Sequence, residues 1–179
     1  KKVFDAFQNA TDAQRTFREV ALLAALGEHP HIVRLLSVLP ARNGLDLYLT
    51  FEYLPADLHR VIHTGALIPA HFRHLTYQLL LALAYLHARG VVHRDLKPAN
   101  ILVDAQSRLK LADFGLARAL GPAGEAPAEG ARECLTEYIA TRWYRAPEII
   151  LGCDSYSCAV DVWSAGCVLA EMALRRAGE

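Results

Sequence analysis

In the run His93-Arg94-Asp95-Leu96-Lys97-Pro98-Ala99-Asn100, a carboxylate is followed by an ammonium two positions on and a side-chain amide five positions on. A carboxylate can accept or orient the proton of a hydroxyl nucleophile. An ammonium can neutralise charge on a migrating phosphoryl group, and an amide oxygen can ligate magnesium. Asp95, Lys97 and Asn100 are therefore candidate catalytic residues for phosphoryl transfer, with Asn100 also a candidate metal ligand. Eighteen residues beyond Asp95 stands Asp113-Phe114-Gly115, where Asp113 can hold magnesium that bridges nucleotide phosphates and Gly115 gives the backbone freedom. An isolated Asp-Phe-Gly would read as an ordinary turn; at this distance from the first run it reads as the second half of one site.

Such a site needs a scaffold. At 53% hydrophobic and 21% charged residues the chain can build a core. Its 19 basic and 19 acidic side chains cancel, so no overall field draws it to nucleic acid or an anionic membrane, and a charged ligand must be held locally. The longest apolar run, residues 79–86, is too short to span a bilayer, and the first residues lack the apolar core of a signal peptide. Cys134, Cys153, Cys158 and Cys167 have no CxxC spacing and suit the reduced thiols of an intracellular protein. His59 and His63 are four apart, but without an HExxH glutamate or an evident third ligand they read as surface or packed histidines.

Thr11 with Gln14 forms a capping-box pattern, and the apolar spacing after it predicts a helix over 11–26 that stops at Gly27. Residues 32–39 and 45–51, separated by Asn43-Gly44, predict two adjacent antiparallel strands. A short helix over 57–63 and a long, strongly apolar one over 69–88 follow, the latter ending before Gly90. Extended pieces are expected at 91–92, 101–103 and 109–112, with the site residues in the loops between them, and a last helix over 159–174. Residues 121–132 have too few large apolar side chains to anchor them and are expected to form a mobile loop.

With His93 to Asn100, Asp113-Phe114-Gly115, Ala146-Pro147-Glu148 and Asp161-Val162-Trp163 in this order, the chain resembles the eukaryotic protein kinases from end to end. The resemblance implies an α+β, two-lobed, protein-kinase-like fold: a partial, β-rich N-lobe over 1–50, a hinge over 51–56, and a partial, mostly helical C-lobe over 57–179. It implies ATP and Mg2+ as cofactors. It also implies a strand lysine for the α and β phosphates, paired with a helical glutamate. Glu19 suits the second part; Lys1 and Lys2 compete for the first, and Lys1, eighteen residues before Glu19, has the spacing of the mitogen-activated group. Phe51 then falls at the gatekeeper position, Glu52 and Leu54 offer backbone groups to adenine, Asp57 is placed for the ribose, and Leu102 forms the apolar floor under the base.

Thr136-Glu137-Tyr138 followed by Ala140-Thr141-Arg142-Trp143-Tyr144-Arg145 is similar to the activation lip of the extracellular-signal-regulated kinases. That likeness implies phosphorylation of Thr136 and Tyr138 and transfer to serine or threonine preceding proline. Arg18, Arg94 and Arg118 would gather the phosphothreonine, and Arg142 and Arg145 the phosphotyrosine, because the added charge must be matched to order the loop. The stretch from Phe4 to Glu19 and the Phe51 gatekeeper look most like the atypical seven/eight branch, whose members phosphorylate their own lip. Protein substrates with Ser/Thr-Pro sites and docking-motif proteins are the implied partners, with no nucleic acid and no membrane, in the cytoplasm with the nucleus as a second location.

In a whole domain of this group a Gly-rich loop precedes the lysine strand and further helices follow the last one here. The chain is thus expected to be a partial domain that alone binds ATP weakly and exposes apolar surface. A catalytically silent fragment acting as a binding module is the alternative reading. A small-molecule kinase would need no lip like residues 136–148, and a cyclin-dependent kinase fits residues 14–19 and the lip less well.

Overall fold

The computed structural model describes residues 1–65, 67–121, 142–153 and 155–177, with side chains as far as residue 174. Thr136, Tyr138, Cys134 and residues 122–132 of the expected mobile loop lie outside these. The chain begins with strand β1 (Lys2–Val3) and helix α1 (Ala10–Leu26), then β2 (Leu35–Pro40) and β3 (Leu47–Phe51). These strands make an antiparallel sheet in the order β1-β3-β2, with Lys2 opposite Tyr48 and Val38 opposite Leu49.

Two expectations shift here. The N-cap of α1 is Asn9, whose side chain accepts from the Asp12 backbone N–H at 2.8 Å, and not Thr11; the helix starts one residue early because the Asx cap outcompetes the Thr-Gln box. Strand β2 starts at Leu35 because the preceding residues are claimed elsewhere: Ile32 forms a parallel bridge with Leu111, and Val33 N–H donates to the Leu111 carbonyl at 2.8 Å.

The remainder is chiefly helical. After β4 (Ala56–Asp57) come α2 (Leu58–His63) and α3 (Pro69–Ala88), the latter with Pro69 in its first turn, where the missing N–H costs nothing. Strands β5 (Val91–Val92), β6 (Ile101–Val103), β7 (Leu109–Leu111) and β8 (Arg118–Ala119) are short; β6 pairs with both β4 and β7, and β5 with β8. Helices α4 (Pro147–Ile150) and α5 (Ala159–Ala177) close the described chain.

The principal core joins Leu23 and Leu26 of α1 with Leu75, Leu79 and Leu86 of α3, Leu109 and Leu111 of β7, Phe114, and Val168 and Met172 of α5, all buried. One apolar cluster thus runs from the sheet-side helix to the last helix, and burial of this kind is the main stabilising term. No described helix is long and apolar enough to cross a membrane.

Candidate active site

The loop between β5 and β6 carries Asp95, Lys97 and Asn100. Its backbone is held by a residue far along the chain. The Asp161 carboxylate, fully buried at the start of α5, accepts from His93 N–H at 2.8 Å and Arg94 N–H at 2.9 Å, and its Oδ2 lies 2.9 Å from His87 Nε2. Arg94 needs such a clasp, since its φ of 68° lies in the left-handed region that non-glycine residues avoid. His93 is itself fully buried: Nε2 donates to the Ala112 carbonyl at 3.0 Å and Nδ1 accepts from Asp95 N–H at 3.3 Å, an assignment that fits the neutral Nε2–H tautomer. Its ring meets that of the buried Phe114 edge-on, 5.0 Å between centroids, which joins the loop to Asp113-Phe114-Gly115.

Within the loop, Lys97 Nζ donates to Asp95 Oδ2 at 2.7 Å, and Asn100 Nδ2 donates to the same oxygen at 2.9 Å and to the Asp95 carbonyl at 2.8 Å. With its amide N–H groups spent on Asp95, Asn100 keeps its side-chain oxygen as a group that could ligate a cation.

Across the cleft, Lys1 Nζ contacts both oxygens of Glu19, at 3.0 and 2.8 Å, and Asp113 Oδ1 at 2.9 Å. Burial would pull the Lys1 amine down, but Asp113 and Glu19 outweigh it and its pKa is raised. Burial likewise pushes Asp113 up, but Lys1, together with His93 and Arg15, outweighs it, so Asp113 titrates below its usual range. Both are charged at neutral pH. Lys2, the competing candidate, turns to the other side of the strand, where it pairs with Asp46 at 2.7 Å and lies over the Phe4 ring.

Lys1, Glu19, Asn100 and Asp113 line one cleft of about 260 Å³ whose apolar wall is Val33, Phe51, Ala99, Leu102 and Ala112. Glu52, Leu54 and Asp57 are not in that lining. The Glu52 carboxylate faces away to Lys110, 2.7 Å distant, and to the Arg34 N–H, while Asp57 caps α2 by accepting from Arg60 N–H at 2.8 Å.

Of the five arginines expected around the lip, Arg94 and Arg118 are buried and meet at the Leu116 carbonyl, at 3.4 and 3.2 Å, with Arg94 also over the Tyr156 ring. Arg18 is half-buried on α1, and Arg142 and Arg145 belong to the turn before α4. Sequence reasoning missed Val33, Ala99 and Ala112, and also Arg15, whose Nε would lie 2.9 Å from a Cβ placed on Gly115. It quoted Asp161 only as part of a motif. The position of Ala112, between an apolar strand and Asp113, was a signal that could have placed it.

Residues 1–177 match the protein kinase domain family. The chain belongs to that family. This kinase domain is 51% identical over 178 residues to mitogen-activated protein kinase 15 of Caenorhabditis elegans, covering 99% of this chain and 38% of the relative. It is 54% identical over 175 residues to mitogen-activated protein kinase 15 of Xenopus laevis, covering 97% and 29%. Extracellular signal-regulated kinase 2 of Dictyostelium discoideum is 54% identical over 172 residues, covering 96% and 46%. The chain therefore spans less than half the length of each of these relatives, and the kinase domain is of the mitogen-activated type.

Proposed function

We propose that the protein carrying this domain transfers the γ-phosphoryl group of ATP to serine or threonine preceding proline in protein substrates, under control of phosphorylation at Thr136 and Tyr138. The observation that carries the reading is the Lys1 ammonium bridging Glu19 and Asp113 in one cleft with Asn100, whose amide in turn holds the Asp95 carboxylate that Lys97 also contacts. Adenine would lie between Val33 and Leu102, with Phe51 limiting the depth of the pocket and the connection at Glu52 and Leu54 at its rim. Lys1 would hold the α and β phosphates. The hydroxyl of the substrate would be oriented by Asp95, with Lys97 placed to offset charge on the group in transit.

The carboxylate of Asp113 and the carbonyl oxygen of Asn100 are hard oxygen donors, a set that suits Mg2+. When bound there, Mg2+ supplies charge neutralisation on the phosphate oxygens. The likeness to mitogen-activated kinases supports proline-directed substrates and the lip phosphorylations, and Arg94 with Arg118 forms part of the basic cluster that a phosphothreonine would need. The test is transfer of labelled phosphate from ATP to a Ser-Pro peptide by the full-length protein. Asp95→Ala should lower kcat by roughly 10²–10⁴-fold; a variant as active as the wild type would overturn the reading.

A further inference from the structure

His59 and His63 occupy one face of α2, their rings 4.2 Å apart between centroids. His63 Nδ1 lies 2.8 Å from the His59 carbonyl, so it is the donor nitrogen and Nε2 carries the lone pair of the neutral ring. The sequence gives this pair no third member, but the fold does. Helix α5 brings Glu171 to the same point, and one ligand atom from each of His59, His63 and Glu171 lies within 4.8 Å of the others.

We propose that His59, His63 and Glu171 form a binding site for a zinc-type divalent transition-metal ion, separate from the catalytic cleft. Two imidazole nitrogens and one carboxylate oxygen are the donor set of Zn2+ and its neighbours, whereas Mg2+ and Ca2+ take oxygens. Donors 2.0–2.2 Å from a tetrahedral ion stand roughly 3.3–3.6 Å from one another. The three groups are thus about an ångström from closure. Both histidines are exposed and Glu171 half-buried, which leaves a fourth position open to water.

A histidine pair on a helix surface is ordinarily only solvated. What distinguishes this one is that its third member is already oriented: the Tyr144 hydroxyl donates to Glu171 Oε2, the way an outer hydrogen bond aligns a metal-binding carboxylate. Tyr144 is in turn anchored, its carbonyl accepting from Ser164 Oγ at 2.6 Å. An ion held here would tie α2 to α5 beside the turn that leads into α4.

The experiment titrates Zn2+, and separately Co2+, into full-length protein stripped with a chelator, reading a competing zinc indicator, the Co2+ absorption bands and the thermal midpoint. The wild type should bind one more equivalent than His59→Gln/His63→Gln, give Co2+ bands of a low-coordinate nitrogen and oxygen site, and gain thermal stability with Zn2+ where the variant does not. Glu171→Gln should weaken binding at least about tenfold. If that variant folds poorly for want of the Tyr144 contact, His59→Gln, a change at an exposed position, decides instead by the same measure. Identical titrations of wild type and the histidine variants would place any bound metal elsewhere in the protein and overturn the proposal.

Discussion

One ammonium group, that of Lys1, faces two carboxylates, and its removal should be felt by both. For Asp113, whose pKa is depressed, the stabilisation is in place above the ordinary carboxylate pKa and is lost as pH falls through the lowered value. For Lys1, whose pKa is raised, it is in place below the ordinary lysine value and is lost as pH rises through the raised one. Lys1→Met should therefore let the Asp113 carboxyl titrate at higher pH, read by NMR of the side-chain carbon, and should lower kcat by roughly 10²–10³-fold in a peptide assay. An unmoved titration would mean that Lys1 does not set the state of Asp113. At this scale Asp95, Lys97, Asn100 and Asp113 were legible as candidates because their types and separations lie in short local runs. The roles of Arg15 and Asp161 were not, since their contacts join distant parts of the chain. Choosing Lys1 over Lys2 needed a family spacing, because two adjacent lysines carry no sign of which faces the cleft until β1 is paired to β3.

Among the elements, α2 opens on Asp57, a residue with one duty observed and a second expected. Asp57 caps α2 through its Oδ1 and stands where the resemblance to kinases puts a ribose contact. The two duties separate on substitution. Asp57→Ala should cost about 1 kcal/mol in chemical denaturation through loss of the cap, and Asp57→Asn, itself a good cap, should recover most of it. If Asn restores stability but leaves KM for ATP elevated, the carboxylate charge also serves the nucleotide; if it restores both, the cap is the whole role. The bounds of α3 were legible because Pro69 and Gly90 punctuate a long apolar run. The start of α1 was misplaced by a residue because two capping patterns overlap, and the start of β2 because Ile32 and Val33 pair with β7. Two-residue strands such as β4 and β8 owe their existence to partners across the fold, and no local periodicity announces them.

Across the whole molecule, the sheet-side part is fastened to the helical part by more than apolar packing. The Tyr85 hydroxyl on α3 donates to the Leu26 carbonyl at the end of α1, and its ring stacks on His29, 4.0 Å between centroids. Backbone bonds from Val33 and to His31 hold the following segment against Leu111 of β7. Tyr85→Phe keeps the stack and loses one hydrogen bond, so it should lower unfolding free energy by about 1 kcal/mol, measured by denaturant titration of the full-length protein; no change would mean water replaces the tether. Asp161 works over a comparable span, gathering His93 from 68 residues earlier and His87 from 74. A chain leaving the ribosome exposes the whole Asp95 loop before the carboxylate that shapes it has been made. The catalytic loop is thus a late product of synthesis, and a nascent chain stopped short of α5 holds every reactive group of that loop without the means to arrange them.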